Sequence, residues 1–223
     1  MSRAPVVIPI PFREPPAAFA PLAGEAMAVL LDSARAGAQG RYSYIAVDPF
    51  RIIRCTSHPW TVTVDGSVRE TDPFAALKSE LASFSTGPIN AALNDIAPFL
   101  GGAVGFFSYE LGGVLEPTPA PKNKPWPLDM AVGLYDTIVA FDHERRKAWV
   151  IAHDPPGLPG RARAEIRANA LAGALGTAAL SAPHGTLEGS WRAETARTVH
   201  EARIISTVDA IRRGDIYQAN ITH

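Results

Sequence analysis

Apolar and polar positions change period several times along the chain, and each change marks an element. Residues 6–11, Val-Val-Ile-Pro-Ile-Pro, are extended, and prolines without an N–H confine that strand to a sheet edge. Residues 15–23 read as a connector. Apolar runs at 26–31, 42–47 and 52–56 predict strands, with Asp48-Pro49 turning the second into the third. Residues 61–64 and 67–71 form a hairpin about Asp65-Gly66. Asp72-Pro73 then opens a helix, as an N-cap followed by proline at the first helical position, with Phe74, Leu77, Leu81 and Phe84 as its stripe and Gly87-Pro88 as its end. The glycine-rich run 101–111 predicts a buried strand whose glycines permit close backbone approach. Residues 116–127 form a proline-rich loop. Residues 129–143 are apolar on both alternating faces, the pattern of a strand covered on both sides, and after the solvated turn 144–147 residues 148–152 return as its partner.

The last third is helical. Residues 161–175 predict a helix with Ile166, Ala170, Leu171 and Ala174 on one side. A loop at 182–189 is the candidate boundary between two domains, 1–182 and 190–223. Ser190 is the expected cap of a long helix in which Ala196, Val199, Ala202, Ile205, Val208 and Ile211 recur at three-to-four spacing. Arg212 and Arg213 fall where a helix C-terminus favours positive charge, and Gly214 where a left-handed cap belongs. Beyond it the period becomes two, with Tyr217, Ala219 and Ile221 against Gln218, Asn220 and Thr222, which predicts a strand. Strands that precede helices, without βαβ alternation, give an α+β fold: antiparallel β-sheets packed face to face with outer helices.

Composition narrows the function classes. The 223 residues carry 21 Lys and Arg against 22 Asp and Glu, a balance that suggests neither a nucleic-acid binder nor a membrane-surface protein. The one cysteine, Cys55, excludes an internal disulfide, fits a reducing compartment and reads as a buried strand thiol. No apolar run reaches bilayer length, and residues 1–16, broken by prolines, hold no signal-peptide core, so the expected location is cytoplasmic. The chain lacks a P-loop ending, a Gly-x-Ser-x-Gly elbow and an HExxH motif, and its six histidines have no paired spacing. His143, at a hairpin end, reads as a turn residue. No catalytic residue and no metal ligand is assigned to this chain.

Three segments carry a resemblance. Gly214-Asp215-Ile216-Tyr217-Gln218-Ala219-Asn220, the glycine-rich run at 101–111 and the Asp-Met…Tyr-Asp…Phe-Asp-His run at 129–143 resemble the anthranilate synthase / aminodeoxychorismate synthase component I family. The resemblance implies that residues 1–182 are the family's N-terminal domain and 190–223 the start of its chorismate-binding domain. It implies replacement of the 4-hydroxyl of chorismate by ammonia from a glutamine amidotransferase partner, on the route to 4-aminobenzoate and folate. It places Mg2+ and the catalytic groups on sequence that follows His223, so this chain alone is expected to be inactive. Residues 109–113 and 134–136 tilt the resemblance to the aminodeoxychorismate branch; the alternatives are anthranilate synthase component I and a non-catalytic tryptophan-binding or amidotransferase-docking module. Leu30-Leu31-Asp32-Ser33-Ala34 and Gly40-Arg41-Tyr42-Ser43 resemble two strands of the family's tryptophan pocket, which implies Leu31, Ser33, Arg41 and Tyr42 as tryptophan-binding residues. Asp32 stands where the family has glutamate, and the Asn-Pro-x-x-Tyr segment that closes the pocket has no counterpart here.

Overall fold

In the computed structural model, residues 4–35, 37, 39–57, 59–84, 95–116, 126–154, 161–175 and 188–222 are described. Ten strands form two antiparallel five-stranded sheets. Sheet 1 is ordered β1 (Val6–Ile10), β10 (Lys147–Ala152), β9 (Thr137–Asp142), β3 (Tyr42–Ala46) and β2 (Val29–Leu31). Sheet 2 is ordered β6 (Ser67–Arg69), β5 (Thr61–Val64), β4 (Arg51–Thr56), β8 (Met130–Tyr135) and β7 (Gly102–Phe107). The helices are α1 (Pro15–Phe19), α2 (Pro73–Ser83), α3 (Arg161–Ala174) and α4 (Arg197–Arg213), and 3-10 turns occupy Ala20–Leu22 and Tyr109–Val114. The architecture is α+β, as the order of patterns predicts.

A two-stranded ribbon runs through both sheets and ties them together. In sheet 1 it pairs Tyr42 with Asp142 and Ala46 with Ile138; in sheet 2 it pairs Arg51 with Leu134 and Cys55 with Met130. Between these ladders residues 47–50 face 135–137, one residue more on the first side, and Asp48 there takes a φ of +50°. An extra residue on one strand of a pair bends the ribbon. The run 129–143 is therefore two strands in two sheets, not one, and the break falls at Asp136. Period-two reading misses this break because β8 and β9 are buried at every position.

Arg167 of α3 holds the corner. Its Nη1 donates to Asp48 Oδ2 at 2.8 Å, its Nη2 to the Asp48 carbonyl at 2.9 Å, and its Nε to Asp136 Oδ1 at 3.0 Å. Burial pushes the fully buried Asp136 carboxyl above its ordinary range, and the Arg167 charge offsets only part of that rise.

Three apolar clusters fill the layers. The outer face of sheet 1 (Ile45, Val139, Phe141, Val150) packs on Ala164, Ala168 and Leu171 of α3 and on Ala18 of α1. Its inner face (Ala46, Ile138, Ala140, Ile151) meets Val104 and Tyr135, from sheet 2, together with Ala97 and Leu100. The second face of sheet 2 (Ile53, Cys55, Val62, Met130, Val132) packs on Ala76 and Phe74 of α2 and on Leu111. Gly105 permits the β7–β8 approach, since a Cβ there would lie 2.1 Å from the Ala131 carbonyl oxygen. Local signals are realised at the Asp65-Gly66 hairpin, where both residues have positive φ, at Asp72, whose carboxylate accepts the Ala75 N–H at 2.9 Å, and at Gly214, with φ +81°.

Other expectations change. The connector at 15–23 contains α1, because paired prolines at the first positions start a helix as well as they end one. Leu81 faces outward, and α2 buries Pro73 and Ala76 instead. In α3 the buried stripe is Ala164, Ala168, Leu171 and then Leu175, with Ile166 exposed. The end of β7 is open: Phe106 and Phe107 are exposed. The last helix starts after Ala196, not Ser190. Residues 216–222 are not a strand, since among the described residues nothing pairs with them. Gly87-Pro88 and most of the 116–127 and 182–189 loops lie outside the described residues. The chain divides into two compact units, Met1–Ala182 and Pro183–His223.

Candidate functional site

Strand β3 presents different chemistry on its two faces. Alternation sends Tyr42 and Tyr44 to the inner face of sheet 1, where their rings stack at 6.4 Å and Tyr44 meets the edge of Phe99 at 5.5 Å. Burial pushes the Tyr44 hydroxyl up to about 12. The intervening Ser43 is fully buried on the outer face, opposite Phe141. Edge strand β2 lies against β3 with Leu31 opposite Tyr44, so Leu31, 45% exposed, extends the same aromatic wall.

Beyond Leu31 the ladder stops and side chains take over. The Ser33 N–H donates to Ser43 Oγ at 2.9 Å, and Ser33 Oγ donates to the Tyr42 carbonyl at 2.6 Å. Ser43 Oγ also lies 3.0 Å from Asp32 Oδ1 and 2.8 Å from His143 Nε2. His143 is fixed in turn, its backbone N–H on the Arg41 carbonyl at 2.9 Å and its ring edge-on to Phe12, 5.8 Å away at 77°. Thus His143, read from sequence as a turn residue, also joins the network around Ser33.

Arg41 comes close to Tyr42, its guanidinium carbon 5.0 Å from the ring centre. Its fork is already engaged, however. Nη2 donates to Asp142 Oδ2 at 2.7 Å, Nε reaches both Asp142 oxygens at 3.2 Å, and Glu144 lies 3.2 Å from Nε. In this geometry Arg41 braces β3 to the β9–β10 turn. Burial raises the Asp142 carboxyl, but Arg41 and the Glu144 and Arg145 amides outweigh it and hold the group below the ordinary carboxylate range.

The structure thus brings Leu31, Ser33, Arg41 and Tyr42 together at the end of β2. It adds Asp32, Ser43, Asp142 and His143, whose partners lie as far as 101 residues away in sequence. The arrangement can accept hydrogen bonds at Ser33 Oγ, whose own proton is committed to Tyr42, and can stack a flat ring on the tyrosine wall. A concavity of about 210 Å3 lies elsewhere, at the ribbon corner, lined by Leu22, Glu25, Val47, Asp48, Arg167 and Leu171. Among the described residues no group of three or more His, Cys, Asp and Glu could hold a metal. The buried carboxylates of Asp136 and Asp142 are paired with arginines, so neither is free to hold Mg2+.

The family model for chorismate binding enzymes matches residues 28–223, which includes the Ser33 network, the ribbon and α4. The chain belongs to the chorismate-binding enzyme family. It is 33% identical over 225 residues to aminodeoxychorismate synthase component 1 of Klebsiella aerogenes, an alignment that covers 97% of this chain and 46% of the relative. It is 30% identical to anthranilate synthase component 1 of Bacillus caldotenax over 62% of this chain and 27% of the relative. The crystal structure of anthranilate synthase component I from Streptococcus pneumoniae TIGR4 shares the fold, with a TM-score of 0.61 and 22% identity over 81% of this chain and 40% of that one. The chain spans less than half the length of these relatives. No helix among the described residues is long and apolar enough to cross a membrane.

Proposed function

We propose that this chain is the leading part of a chorismate-aminating synthase that replaces the 4-hydroxyl of chorismate by an amino group, giving 4-amino-4-deoxychorismate for 4-aminobenzoate and folate synthesis. The observation that carries this choice is alignment length. The match to aminodeoxychorismate synthase component 1 runs over 97% of the chain, whereas the match to the Bacillus anthranilate synthase stops at 62% at comparable identity. The ammonia comes from a glutamine amidotransferase partner, as the designation of the relatives as component 1 suggests. Mg2+, in this reading, is held by residues outside those described, and supplies a Lewis acid for departure of the hydroxyl. Residues 1–182 serve as the domain that carries the Ser33 network, and residues 190–223 begin the chorismate-binding domain. The protein is cytoplasmic.

Within the first region we propose a tryptophan site at the end of β2. The indole stacks on Tyr42 beside Leu31, and Ser33 Oγ accepts from the ammonium group. Arg41 shapes the site through Asp142 and Tyr42. Support comes from the geometry: Ser33 Oγ gives its own proton to the Tyr42 carbonyl and so keeps its lone pairs as acceptors.

The test is product identity. The protein purified from its own source, given chorismate, 15N-ammonium chloride and Mg2+, is expected to form 15N-labelled 4-amino-4-deoxychorismate by mass spectrometry. Labelled anthranilate, with pyruvate released, would assign the other branch; chorismate left intact would remove the enzyme reading.

A further inference from the structure

We propose that His143 is a positioning residue for the Ser33 edge. The imidazole Nε2–H, given to the buried Ser43 hydroxyl, fixes the direction of that hydroxyl's own proton and so holds Asp32 and Ser33 against β3. The inference rests on the tryptophan-site reading only for its ligand consequence; the hydrogen-bond assignment stands on geometry alone.

The assignment follows from counting donors and acceptors at one oxygen. Ser43 Oγ has one proton and two lone pairs. The Ser33 N–H, 2.9 Å away, can only donate and takes one lone pair. The Asp32 carboxylate oxygen, at 3.0 Å, can only accept and takes the proton. The remaining lone pair faces His143 Nε2 at 2.8 Å, so that nitrogen carries hydrogen. Ser43 is fully buried, which leaves no access for bulk water to replace any of the three partners. The same burial excludes the reading of Ser43 and His143 as a nucleophile and base, because no substrate can reach the hydroxyl.

The consequence is mechanical. Strand β2 has three residues and, among the described residues, pairs only with β3, through Val29, Leu30 and Leu31. Residues 32 and 33 lie past the last ladder pair, and the bonds that hold them run to Ser43 Oγ and the Tyr42 carbonyl. Strand β3 therefore works on both faces at once: Tyr42 and Tyr44 form the wall on the inner side, and Ser43 ties the edge from the outer side. His143 is well placed to act through Ser43 because its backbone is held by the Arg41 carbonyl and its ring by Phe12. A ring fixed in this way specifies one tautomer and one orientation.

Three readouts on the 223-residue chain test the proposal. Nitrogen-15 NMR of ring-labelled histidine is expected to show His143 protonated at Nε2; a ring protonated at Nδ1 alone overturns the assignment. Amide exchange at Ser33 is expected to be at least about tenfold faster in His143→Phe, the loss of one ordering hydrogen bond, and to return to within about threefold of the parent in His143→Gln, which restores a donor. Equal Ser33 exchange in the parent and His143→Phe overturns the positioning role, as does a His143→Gln chain no slower than His143→Phe. Calorimetry with L-tryptophan is expected to show affinity falling by about tenfold in His143→Phe and recovering in His143→Gln. No heat with the parent chain removes the tryptophan reading, and the tautomer and exchange results then decide the His143 claim by themselves.

Discussion

Helices α3 and α4 carry similar amounts of apolar side chain at helical spacing, yet their situations are opposite. Helix α3 buries Ala164, Ala168 and Leu171 on the outer face of sheet 1, and its Arg167 reaches down to the ribbon corner. Helix α4 buries no residue: Val199, Ile204, Ile205, Val208 and Ile211 are all exposed. Its charges pair locally, Arg197 with Glu201 and Arg212 with Asp209, at exposed positions of little energetic weight. Periodicity reports that a helix has a face to bury; it does not report what buries it. An isolated helix of this length is marginal in water, and among the described residues α4 has no buried side chain to support it.

The strongest test of this contrast is Arg167→Leu. The change strips the counter-charge from a fully buried Asp136 and releases the Asp48 bulge, and is expected to cost about 3 kcal/mol in urea unfolding. The cost is limited because burial already pushes Asp136 toward its protonated form. Next comes Leu171→Ala, a cavity under α3 worth roughly 2–3 kcal/mol, read from the same titration. The matched change in α4, Ile205→Ala, is expected to cost less than about 0.5 kcal/mol in the 223-residue chain. A loss at Ile205 equal to that at Leu171 would erase the contrast.

A pH experiment sharpens the same picture within the first region. His153 is buried, its ring bonded to the Leu100 carbonyl at 2.7 Å, and burial lowers its basicity below the ordinary value of 6.5. The folded state then binds fewer protons than the unfolded state below that value. Stability from this group is complete above about pH 6.5 and declines as pH falls from there toward the lowered folded value. His153→Gln, which keeps a donor for Leu100 but does not titrate, is expected to flatten that slope in chemical unfolding measured from pH 7.5 to 5. An unchanged slope would assign the pH dependence to another group.

Sequence made the local decisions legible. The Asp65-Gly66 hairpin and the Gly214 cap depend on positive-φ backbone that only a few residue types favour, the Asp72 cap on a short acceptor side chain, and each is where its residues place it. Decisions made between distant residues were not legible. The break at Asp136 is hidden in an apolar run because its partner, Arg167, lies on a helix 31 residues on. The terminal period-two pattern at 217–222 names a strand but not a neighbour, and no strand forms among the described residues. At the candidate site, Leu31, Ser33, Arg41 and Tyr42 were reachable through resemblance. Asp142 and His143 were not assigned to that site, because their bonds to Arg41 and Ser43 cross about a hundred residues of sequence.

The measurement that bears most directly on the proposed function is the intact mass and peptide map of the protein purified from its own source, with each fraction assayed for chorismate amination. The account predicts, for any fraction that aminates chorismate, peptides that continue past His223 and a mass well above that of 223 residues, in keeping with relatives of which this chain spans less than half. An active protein whose mass equals that of the 223-residue chain, with chorismate amination intact, would contradict it.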